Sequence, residues 1–173
     1  MVIEEILTHT DPPQQDAIEL HNPTSTNVNV SGWFLSDDAS VPKKFRIPDN
    51  TTIPPGGFIY FQEADFNPTP GVGESFALSS TGDDVFLFSA TAGGELTGYG
   101  HGITLGASFN GVSFGRYVNS AGEEFYPAQT AVTLGQANSG PRVGPVVISE
   151  IQYHPDANGD EFIELLNLTE NSV

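Results

Sequence analysis

The pentapeptide GVSFG (111–115) sets Ser113 in a G-x-S-x-G frame, the spacing of a hydrolase nucleophile elbow. That chemistry needs a helix directly after the serine, and a histidine and an acid further along the chain. Here RYVNSAGEEFYP follows, which has no helical period, and the only later histidine is His154. A motif without its context carries no nucleophile. DANGDE (156–161) puts Asp156, Asn158 and Asp160 at alternate positions, the oxygen-ligand spacing that opens a calcium loop. Its Asn-Gly pair is equally a hairpin-turn signal, so these three residues are metal candidates set against a plain turn. Glu5 and Glu19 could act as paired carboxylates, but nothing marks a cleft around them. Outward positions on half-buried strands are the alternative to acid–base work, and edge placement or a hydrogen bond to a backbone donor is the expected role. His9 with Asp11 falls short of a zinc ligand set, and His101 lies in the Gly-rich GYGHG with no evident partner.

Some of these residues occur twice. VIEEILTHTDPPQQDAIELHNPTSTNV (2–28) aligns without a gap on VISEIQYHPDANGDEFIELLNLTENSV (147–173), with 12 of 27 positions identical. Chance would give roughly two at ordinary residue frequencies. Glu5 and Glu19 recur as Glu150 and Glu164, His9 as His154, and Asp11 as Asp156. The first copy reads DPPQQD where the second has the calcium-like spacing, so the metal candidates are not shared by both. We expect a first unit over 1–140, a Pro- and Gly-rich linker over 141–146, and the opening hairpin of a second, truncated copy over 147–173. An isolated two-stranded hairpin is marginal in water. The second copy should therefore add to a sheet edge of the first unit, exchange with another molecule, or stay unordered.

The positioning elements read as short strands. Expected strands are Val2–Thr8, Ala17–Asn22, Asn29–Ser36, Lys43–Ile47, Gly57–Gln62, Ser75–Leu78, Asp84–Ser89, Glu95–Gly100, Val112–Tyr117 and Glu124–Tyr126. Turn formers separate them at the spacing of an all-β sandwich, with little or no helix. The lone Trp33 follows Ser31-Gly32, where Gly32 can supply a bend, and is expected to cap or fill the sandwich core. Gly56 and Gly57 close the turn IPPGG. Three of five cations, Lys43, Lys44 and Arg46, fall on one expected strand, where they would guard an edge or dock an acidic neighbour.

Composition narrows the function classes. With 22 acidic and 5 basic residues the formal charge is −17, which repels phosphate backbones and anionic lipid. We therefore expect no nucleic-acid partner. There is no Cys, which removes disulfides and thiolate chemistry. No run approaches the roughly 20 apolar residues of a membrane span.

The motifs together resemble those of a lamin tail domain. AIELHNPTSTNVNVSGWFLSDD, TTIPPGG (51–57), LSSTGDDVFLF (78–88), GVSFGRYVNSAGEEF and TLGQANSG occur in family order over residues 2–140. The chain departs from the pattern in EEIL, in NVNVSGW and in TLGQAN, which lacks the usual Pro. The resemblance implies an Ig-like β-sandwich with no catalytic residues and no cofactor. It implies a non-catalytic interaction or structural module of a larger exported or cell-surface bacterial protein. Its partner would be a protein, a cell surface or neighbouring copies of the same domain, with a dimer by hairpin exchange among the expectations. A calcium-assisted carbohydrate- or surface-binding module is the alternative.

Overall fold

The computed structural model describes residues 1–156 and 159–172, in two compact units, Met1–Pro141 and Arg142–Val173. The first unit holds β1 (Val2–Leu7), β2 (Ala17–His21), β3 (Val28–Asn29), β4 (Phe34–Ser36), β5 (Phe45–Arg46), β6 (Thr52–Ile53) and β7 (Phe58–Gln62). It continues with a one-turn helix α1 (Glu63–Phe66), then β8 (Asp83–Ala90), β9 (Leu96–Leu105), β10 (Phe114–Gly115), β11 (Tyr117–Val118) and β12 (Glu124–Phe125). Two antiparallel sheets, ordered β10-β1-β2-β7 and β5-β4-β8-β9, make the sandwich, with small pairs β3–β6 and β11–β12 at its margins.

Alternation explains the core. Paired residues share a face of a sheet. Ile3↔Leu20 and Ile6↔Ile18 put four aliphatic side chains on the inner face of the first sheet, and all four are fully buried. Leu35, Val85 and Leu87 answer from the second sheet, and Phe66 and Phe76 stack at 4.8 Å to plug one end. A β-bulge between Ile3 and Glu5 swings Glu5 to the outer face, opposite Glu19.

Several elements differ from the expectation. The single strand expected over 29–36 is β3 and β4, divided by a turn in which the Trp33 N–H returns to Val30 O at 3.0 Å. Gly32 makes that turn: its φ is +78°, and a Cβ there would lie 2.6 Å from Thr91 O. Residues 75–78 form no strand; Phe76 and Leu78 are buried there as plugs. The segment 112–117 is divided into β10 and β11 at Arg116, whose N–H still donates to Glu4 O of β1 at 2.7 Å, while Tyr117 and Val118 pair with β12. β6 pairs with β3 where the sequence shows only a polar loop.

The second unit is a two-stranded sheet, β13 (Val146–Gln152) with β14 (Phe162–Asn167). It copies the β1–β2 hairpin position for position. Ile148↔Leu165, Glu150↔Glu164 and Ile151↔Ile163 repeat Ile3↔Leu20, Glu5↔Glu19 and Ile6↔Ile18, and the bulge recurs between Ile148 and Glu150. The turn after the hairpin recurs too. Asn22 Nδ2 donates to Thr26 O at 2.8 Å, and Asn167 Nδ2 to Asn171 O at 2.7 Å. Burial differs: Ile148, Ile151, Ile163 and Leu165 are 59%, 57%, 63% and 64% exposed, against 0% for their counterparts.

Candidate functional site

The chemistry-bearing residues converge on the outer face of the opening hairpin. Glu5 and Glu19 are both fully buried and sit on β1 and β2, each inside the sheet, not at an edge. The expectation of edge placement fails; both carboxylates do point to the outer face, and residues 133–138 fold back over that face and bury them. Glu5 accepts hydrogen bonds from Thr133 N and Thr133 Oγ1 at 3.0 and 2.9 Å and from Ser113 Oγ at 2.5 Å. Glu19 Oε2 accepts the Gly135 N–H, while Oε1 has no partner among the described residues. The expectation of backbone donors describes both carboxylates.

Two like charges cannot both be held cheaply in such a place. Burial raises the Glu19 carboxyl to about 8, opposed by the Gly135 N–H and reinforced by the charges of Glu5 and Glu4. Every hydrogen bond to Glu5 comes from a donor, and the proton of the raised Glu19 carboxyl is best placed on its Oε1, which has no partner among the described residues. Burial likewise raises Glu4 to about 7 despite nearby Arg116. His21 Nδ1 lies 3.3 Å from Glu4 Oε2, out of line for a hydrogen bond, and burial and Arg116 hold the imidazole below its ordinary value. Asn138 completes the seal, its Nδ2 reaching Glu4 O at 3.2 Å and Arg116 O at 3.1 Å.

A second cluster ties the other side of β1. The Ile3 N–H donates to His101 Nδ1 at 3.1 Å, which leaves the ring proton on Nε2 to meet Glu124 Oε1 at 2.7 Å. Arg116 Nε donates to Glu124 Oε2 at 2.7 Å, and Tyr126 donates to Ile3 O at 2.6 Å. Burial raises Glu124, but the hydrogen bonds from Arg116 and His101 outweigh it and leave it lowered. The arrangement resembles an acid–histidine pair, yet both ends are consumed in fastening a backbone.

Ser113 is closed off as well: it is fully buried and its hydroxyl points at Glu5, with no histidine among its partners. His9 Nδ1 lies 3.0 Å from Ser108 O, and Asp11 accepts from Asn110 Nδ2 at 2.5 Å, so both serve the loop they stand in. Asp156 and Asp160 are exposed in the second hairpin's turn; Asn158 lies outside the described residues. No group of three or more metal-ligating side chains occurs among the described residues. The cations are spent locally: Lys44 on Asp37 at 2.5 Å, Arg46 on Asp49 at 2.8 Å, and Lys43 over the Phe34 ring at 5.7 Å. Trp33 is half-buried, packed against the rim of the core with its ring 6.1 Å from that of Tyr99. Gly56 has φ +66°, and Gly57 abuts Pro54, in the turn that returns Gly56 N–H to Asn22 O at 2.8 Å.

The family model of the lamin tail domain matches residues 1–102. The chain belongs to the lamin tail domain family. No curated protein and no solved structure matches it significantly. Its fold is the Ig-like β-sandwich, and the matched span of this lamin tail domain runs from β1 into β9, across both halves of the core. Residues that sequence reasoning missed lie mostly beyond that span: Thr133, Gly135, Asn138, Arg116 and Glu124. The one signal for them was indirect. A carboxylate pair repeated in both hairpins implies a repeated partner, but the partner has no motif of its own.

Proposed function

We propose that this lamin tail domain is a non-catalytic interaction and structural module in a larger exported or cell-surface bacterial protein, where it stands in a row of like units. The observation that carries the reading is the sealed carboxylate pair. Glu5, Glu19 and Ser113, the residues best suited to chemistry, are all fully buried under the chain's own 133–138 segment. A catalytic acid or nucleophile must reach substrate, and these reach only backbone and hydroxyl donors. The repeated hairpin supports the row of units, because a second opening in the same register implies a second domain of the same design. The test is a screen of the purified chain against chromogenic ester, peptide and glycoside substrates. No turnover is expected; hydrolysis abolished by Ser113→Ala or Glu5→Gln would overturn the reading.

A second reading, a calcium-assisted carbohydrate- or surface-binding module, is favoured by one feature. A shallow hollow of about 150 Å³ on β8–β9 is floored by Phe88, Leu96 and Tyr99, and aromatic rings suit sugar faces. Saturable binding of an oligosaccharide that is lost with Tyr99→Ala would move the assignment there.

A further inference from the structure

The chain carries two copies of one hairpin and one body built to receive it. The seat is visible around β1–β2. Four aliphatic side chains face the core, β10 and β7 pair with the hairpin's two edges, and Thr133 and Gly135 donate to the carboxylates on its outer face. The 146–167 hairpin presents the same aliphatic residues and both glutamates in exposed positions. Its four core-facing residues are identical to those of the seated copy, its bulge falls at the same place, and Glu150 and Glu164 occupy the positions of Glu5 and Glu19. We propose that β13–β14 is a binding element whose partner is the body over residues 28–141 of its own chain. There it competes with β1–β2 for one seat, so that residues 28–167 form a circular rearrangement of the same domain.

The chain can make this exchange without a second molecule. Asn138 is held at Glu4 O, beside the β1 end of the seat. The chain stays fixed to the body through Pro141, paired with Gln129, and the five residues between Pro141 and Val147 reach up to roughly 20 Å when extended. Crossing a four-stranded sheet takes only about 15 Å. Hydrogen-bond complementarity supports the seating: the carboxylates of β1–β2 meet backbone N–H and hydroxyl donors of the body, whereas in β13–β14 Glu164 has a hydroxyl donor from its own hairpin, Ser149 Oγ at 2.5 Å, which seating would have to replace.

The two hairpins do not fit equally. Leu7↔Ala17, a fully buried pair, is replaced by Gln152↔Phe162. Gln would bring an amide to an apolar site, and Phe would overfill the space of Ala. The balance therefore lies toward β1–β2, and the second hairpin is the reserve occupant.

The experiment uses the full chain. Ile6→Asp with Ile18→Asp places two charges in the core and ejects β1–β2. Amide hydrogen exchange should then lose its protection over 2–21 and gain at least about tenfold protection over 147–151 and 163–166, with the protein monomeric by light scattering. Adding Ile151→Asp should abolish folding. A companion variant that also carries Gln152→Leu and Phe162→Ala removes both misfits. Folding of either chain with transferred protection supports the exchange. If both chains are as unfolded as the one carrying Ile151→Asp, the proposal is overturned. Protection that appears only in a dimer also overturns it, and assigns the seat to exchange between copies.

Discussion

Replacing Glu19 by Gln should make the protein more stable at alkaline pH and leave it nearly unchanged near pH 5. The side chain is fully buried, one of its oxygens is without a donor among the described residues, and burial raises its carboxyl from 4.5 to about 8. The sign follows from proton linkage. Below about pH 4.5 both folded and unfolded chains hold the proton. Between 4.5 and 8 only the folded chain holds it, so stability falls as pH rises, and the loss is complete above about 8. A full shift of that size would be about 5 kcal/mol at about 1.4 kcal/mol per pH unit. Solvent screening relieves part of it, so the expected effect is about 2 kcal/mol. Glu19→Gln keeps the acceptor for the Gly135 N–H and removes the titration. Urea unfolding followed by Trp33 fluorescence at pH 5 and pH 8.5 reads the difference. General repulsion in a chain of net charge −17 also grows with pH. Glu164→Gln is therefore the control: the same charge change at the exposed twin position. A wild-type-like pH slope in Glu19→Gln, or an equal effect of Glu164→Gln, would refute the argument.

The twin asparagines give a second matched pair. Asn22 is fully buried and its amide reaches Thr26 O, Ile53 O and Pro54 O, so Asn22→Ala should cost about 2–3 kcal/mol in urea unfolding, while Asn167→Ala at the exposed copy should cost under about 0.5 kcal/mol. Gly32→Ala should lose about 2–3 kcal/mol, since the residue needs φ +78° and a Cβ would meet Thr91 O; a neutral result would mean the turn reforms with another backbone path. Millimolar calcium should leave the thermal midpoint unchanged; a saturable rise that disappears with Asp156→Asn and Asp160→Asn would establish a site in the second hairpin.

Local features were legible in the sequence, and features depending on distant segments were not. β1, β2, β7 and β8 stand within a residue of where alternation and turn signals put them, because period and punctuation are local properties. The hairpin duplication was legible for the same reason. The errors share a cause. Residues 75–78 have a strand-like pattern, yet Phe76 turns in to stack on Phe66, a contact set by tertiary packing. β3–β6 is a two-residue pair that no window of sequence resolves. His101 looked unpartnered because Glu124 is 23 residues away on another element.

The glutamates make the sharper case. In sequence Glu5 and Glu150 are equivalent, as are Glu19 and Glu164, and in structure their cross-strand partners are the same. One pair is sealed and the other open to water. Burial is therefore not a property of the hairpin; it is conferred by the segment that lies over it. A buried carboxylate is weak evidence for stability, since an apolar pair of similar volume often does as well. What the carboxylates add is selectivity: they accept only a segment that brings N–H and hydroxyl donors in the right order, and reject an apolar strand that would leave them bare. A hairpin keeping both glutamates while fully exposed is thus still shaped for that one class of cover. Its apolar face alone would fit many surfaces, but the two faces together fit a body of this fold.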